Sequence, residues 1–174
     1  MTEQRERCSI TTFRNVCPQA SLDIPAGVRA DPGSRRSVVL ELTDAARITA
    51  GVVLLTVVGI ESGGAFLVRV VTGTVHATGF QTSFFRAGHA HAGVLVILGL
   101  VCLVLAEATS LDGFWRWLAG TGVLVAAILL PAGFFLSAVG SGRESPNRAV
   151  VLLPAGAAVL AAGVVTLGVG LLVV

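Results

Sequence analysis

Two short patterns place ionisable side chains inside an otherwise apolar chain. The first is Arg86-x-x-His89-x-His91, which opens an apolar run reaching Ala108. The second is Glu61, embedded in another apolar run, followed by Ser62-Gly63-Gly64 and closed by Arg69. A charged carboxylate deep in hydrocarbon is costly, so Glu61 must be protonated, paired or turned to a wet cavity. Arg69 is about two helical turns away, too far for direct contact. His91 or Arg86 of the second run are therefore the expected partners. A Glu61–His91 pair would handle a proton or bind a small polar ligand, and a buried pair that merely fixes helix register is the alternative. Positions two apart on a helix point about 200° away from each other, so His89 and His91 cannot both chelate one ion. No metal site is expected. No cofactor is expected either, although a haem held by two histidines stays open if His76 supplies the second ligand. His89 alone reads as an interfacial side chain reaching for headgroups, and Arg69, Arg86, Arg143 and Arg148 as phosphate anchors.

These residues need helices to position them, and composition says which kind. The 174-residue chain is 54% hydrophobic and only 13% charged, with mean hydropathy +0.86. A soluble domain carries roughly a quarter charged residues. Four apolar runs of spanning length are predicted, at about 48–68, 85–106, 117–139 and 149–174. The first, 21 residues, would rise about 31 Å against a hydrocarbon core near 30 Å. Thr43 or Asp44 is the expected N-cap of span one and Ser83 that of span two. Phe114, Trp115 and Trp117 read as an interfacial aromatic belt before span three. The fold class is thus all-α: a four-helix transmembrane bundle over residues 45–174, behind a disordered polar tail over residues 1–44.

Short loops put alternate helix ends on alternate sides, so the unusual residues converge. Glu61 is about 12 Å in from Arg69 and His91 about 7.5 Å in from Arg86, at the same end. Pro131 and Pro154, expected to kink spans three and four, fall in that half of the membrane too. Small residues recur every seven positions: Thr49, Thr56, Gly63; Ala92, Gly99, Ala106; Ala119, Ala126, Gly133; Gly156, Gly163, Gly170. Such seams let helix backbones approach closely, which in lipid replaces the absent hydrophobic drive between helices.

All twelve basic residues are Arg, and Lys and Tyr are absent, a bias that resembles translation of a GC-rich bacterial genome. The expected location is a bacterial plasma membrane, with lipid as the surrounding partner and a second copy or another membrane protein as a further one. A formal charge of +2 is too small to imply nucleic acid. Cys8 and Cys17 lie in the tail and Cys102 in an apolar run, which is no disulfide framework. A start near Val38 or Val39 is an alternative to the full tail. From that start the positive-inside count turns the polar end toward the cytoplasm, and from the full tail it reverses.

The segment Phe84-Phe-Arg-Ala-Gly-His-Ala-His-Ala-Gly-Val-Leu95 resembles one found in small four-span actinobacterial integral membrane proteins of unassigned activity. Thr43-Asp-Ala-Ala-Arg-Ile-Thr-Ala-Gly51 and Gly63-Gly-x-Phe-Leu-x-Arg69 are similar to that group as well. The resemblance covers roughly residues 43–174 and implies a four-span fold without a function. The spacing of Arg86 and His91 is also similar to a helix start in hydroxylaminobenzene mutases, whose surrounding residues differ. The first functional expectation is a half-membrane site for a proton or small polar ligand. A haem- or quinone-linked redox module, a mutase-like enzyme and a structural membrane partner are the alternatives.

Overall fold

The computed structural model describes residues 42–173. Apart from its last three residues, the expected polar tail lies outside them, together with Cys8, Cys17 and the alternative start. Among the described residues the fold is all-helical: α1 (Asp44–Val71), α2 (Gly79–Ala106), α3 (Gly113–Ala138), and a 3-10 turn (Arg148–Val151) leading into α4 (Leu152–Leu172). All four are long and apolar enough to cross a membrane.

α1 outruns its expected span at both ends and α2 at its start, where polar caps rather than hydropathy set the first residue, whereas α4 stays inside 149–174. Thr43 caps α1, accepting a hydrogen bond from the Ala46 amide. α1 stops where Gly73, at φ 77°, takes the left-handed conformation that turns the chain back, so that the Val75 amide reaches the Arg69 carbonyl. α2 starts at Gly79 rather than after Ser83. Thr78 accepts from the Gln81 amide while the Gln81 side chain accepts from the Thr78 amide, a reciprocal cap that outcompetes a lone serine. Ser83 instead donates to the Gly79 carbonyl inside the helix. Phe114, Trp115 and Trp117 belong to the first turns of α3 and are exposed there.

Packing is uneven. α3 lies against both α2 and α4, whereas α1 packs on α2 alone. The main core joins Leu95 and Cys102 of α2, Val123 and Leu130 of α3, and Leu167 of α4. A second cluster, around Val70, Phe85 and Ala138, holds the end where α1 meets α2. The small-residue seams of α2, α3 and α4 face inward. A Cβ on Gly133 would sit 2.6 Å from Leu153 Cδ2, and one on Gly163 only 3.3 Å from the Gly122 Cα. α1 behaves differently. Its seam residue Thr56 is exposed, and its inner face runs instead through Val53, Val57 and Ile60.

Pro131 is buried in α3, which continues unbroken through it, leaving the Ala127 carbonyl without its helical donor. Pro154 falls in the first turn of α4, directly after the 3-10 turn. The Leu152 amide already donates to the Ala149 carbonyl of that turn, so the missing Pro154 N–H falls where 3-10 bonding gives way to α-helical bonding.

Candidate functional site

The two histidines of α2 meet different helices. His89 turns to α1: its ring lies against the bare backbone of Gly63 and Gly64, where an added Cβ would come within 3.6 Å and 3.4 Å of ring atoms. His91 turns to α3. Its ring centroid is 5.0 Å from that of Phe134, and its Nδ1 donates to the Ala87 carbonyl at 2.8 Å. That bond leaves Nε2 as the acceptor in the neutral ring. Side chains about 200° apart on a helix must diverge in this way.

Glu61 is exposed on α1, and among the described residues its carboxylate has no ion pair. It is ten residues from the Val71 end of α1, about 15 Å by helical rise. The structure therefore does not join Glu61 to His91. The histidine nearest its helix is His89, which packs two to three residues further along α1. Arg69 and Arg86 are exposed and pair with no carboxylate among the described residues.

Sequence reading missed the polar groups that are most firmly held. Gln81, 6% exposed, donates through Nε2 to the carbonyls of Ala138 at 2.9 Å and Gly140 at 2.6 Å. Asn147 donates from Nδ2 to the Leu136 carbonyl and from its amide to Ser137, and Arg143 Nε donates to Val139. Thr78 Oγ1 donates to the Arg143 carbonyl. Together they satisfy the carbonyls left over where α3 ends, which would otherwise be orphaned. The Thr78-x-x-Gln81 pattern ahead of an apolar run was the available signal. A cavity of about 420 Å³ beside this knot is lined by His76, Thr78 and Gln81.

At the opposite end Glu107, at the C-cap of α2, accepts from Arg116 Nη2 of α3 at 2.5 Å and from Thr43 Oγ1 at 3.0 Å. Both partners flank a cavity of about 300 Å³, and an apolar one of about 370 Å³ lies deeper between α1 and α3. None of these three cavities is lined by Glu61, Arg86, His89 or His91. Among the described residues no three His, Cys, Asp or Glu side chains come together as metal ligands would. No family model, curated protein or solved structure matches the chain.

Proposed function

We propose that this multi-pass membrane protein handles a proton at the α1–α2 interface of a bacterial plasma membrane, with Glu61 and His89 as the exchanging groups. The observation that carries this reading is the His89 ring, which makes no side-chain hydrogen bond among the described residues. It lies on the side-chain-free backbone of Gly63-Gly64, within a turn of the unpaired Glu61. A proton needs no cavity, and none of the three cavities described above is lined by Glu61 or His89. That favours a proton over a bound polar molecule. A carboxylate and an imidazole are also the usual components of proton relays inside membranes. His91 is outside this pair, because its Nδ1–H is committed to Ala87.

The test is proton flux into vesicles that enclose a pH-sensitive dye and carry the full chain, driven by a potassium diffusion potential. Glu61→Gln and His89→Gln should lower the flux to that of protein-free vesicles, while His91→Gln keeps it. Equal flux in all four proteins, or wild-type flux no higher than bare vesicles, rejects the reading. Gel-filtration profiles of the variants separate this outcome from misfolding.

A further inference from the structure

α1 and α3 both lie on α2 but do not pack on each other, and among the described residues the space between them holds two cavities that follow one another. At the Glu107 end it starts as the cavity of about 300 Å³, walled by Thr49 of α1 and Gly120 and Thr121 of α3, with Arg116 and Glu107 at its mouth. One turn further along both walls begins the cavity of about 370 Å³, lined by Val52, Thr56 and Ile60 opposite Leu124, Ala127 and Pro131. From Arg116 to Pro131 the furrow covers fifteen residues of α3, about 22 Å by helical rise. Its chemistry changes along that length. The mouth holds a guanidinium, a carboxylate and a threonine hydroxyl, and the deep part is almost wholly apolar.

We propose that this furrow binds a phosphate-bearing amphiphile, its head on Arg116 and one hydrocarbon chain along the α1–α3 gap toward Pro131. Charge decides the head. Both Glu107 oxygens are already engaged, one by Arg116 and one by Thr43, so the carboxylate steadies the guanidinium rather than recruiting a cation. Arg116 donates to Glu107 through a single nitrogen, Nη2, and its side chain stays 36% exposed. Its remaining N–H groups form the planar fork that matches phosphate oxygens. The walls decide the tail, since volumes of a few hundred Å³ lined by aliphatic side chains suit an alkyl chain. The site is independent of Glu61, which stands about 140° from Thr56 around the α1 axis, on the other flank of that helix.

The full chain in dodecyl maltoside micelles, whose amphiphile lacks phosphate, is photolabelled with trace phosphatidylglycerol bearing a diazirine on one acyl chain. Mass spectrometry then maps the labelled residues. Labelling of Thr56 and Ala127 should exceed that of Val165, on the exposed face of α4, by about tenfold, the ratio expected from 1.4 kcal/mol of preference. Thr56→Trp fills the furrow from the peripheral helix and should remove the excess without changing Val165. Arg116→Gln should remove it as well, and a diacylglycerol probe of the same chain length should show none. Equal labelling of Thr56 and Val165 overturns the proposal. So does an excess that survives Thr56→Trp or is matched by the diacylglycerol. Displacement by soluble glycerol phosphate overturns the amphiphile in favour of a free phosphate ligand.

Discussion

Gln81 is the residue on which one end of the molecule depends. Its amide bridges the Ala138 and Gly140 carbonyls and closes the cap of α2, so a single side chain links the start of one helix to the finish of another. Gln81→Leu keeps much of the volume but leaves the buried Ala138 carbonyl without its donor, and it loses the part-buried bonds to Gly140 and Thr78. The expected loss is about 1–3 kcal/mol, the usual range when a buried group is left unpaired. Thermal unfolding in detergent measures it against Ser83→Ala, an exposed hydroxyl whose removal should shift stability by no more than about 0.5 kcal/mol. If the two variants unfold alike, the knot is not what holds this end. Such a residue is hard to find in a sequence. Gln81 is polar, sits outside the hydrophobic span and draws its importance from carbonyls more than fifty positions away. The histidines show the complementary limit. Their spacing told that they diverge, but which helix each meets depended on the relative placement of α1 and α3, which spacing does not encode.

At the scale of the element, the glycine seams determine how closely α3 and α4 approach. At Gly163 the nearest neighbours are backbone atoms of Gly122 and Leu118, which cannot swing aside as a leucine tip can. Gly163→Val should therefore push the helices apart, at a cost of about 1–3 kcal/mol from overpacking. Gly168, on the same helix, has nothing within 4 Å of an added Cβ. Gly168→Val should leave the unfolding midpoint nearly unchanged, and a matching loss at both positions would show that helix propensity rather than packing is responsible. Three of the four seams were legible because a seven-residue period returns to nearly the same face of any helix. The seam proposed for α1 was only partly right. Thr56 meets no helix, since α1 has a single neighbour and turns Val53, Val57 and Ile60 toward it. The starts of α1 and α2 moved outward for a related reason: hydropathy marks where lipid begins, whereas Thr43 and Thr78 mark where backbone amides find their caps.

For the whole molecule, the order of four spans was legible from composition, and the inequality among them was not. Every run has a similar length and hydropathy, so nothing in the sequence says that α3 has two long neighbours and α1 only one. The consequence is mechanical. α2, α3 and α4 share the main core, while α1 is held by the Val70–Phe85 cluster at one end and by the Thr43–Glu107 hydrogen bond at the other. Between those two attachments lies the open furrow. A protease site inserted at Gly73-Thr74, in the exposed loop after α1, should therefore release the α1 fragment from the rest once it is cut in mild detergent. A site at Ser141-Gly142, cut in the same way, should leave α3 and α4 together, because their seam and the Asn147 bonds to Leu136 and Ser137 survive on opposite sides of the cut. Co-purification through a tag on α4 reads both outcomes. Retention of α1 after the first cut, with loss of α4 after the second, would reverse the hierarchy of contacts and with it the account of why the α1–α3 gap stays open.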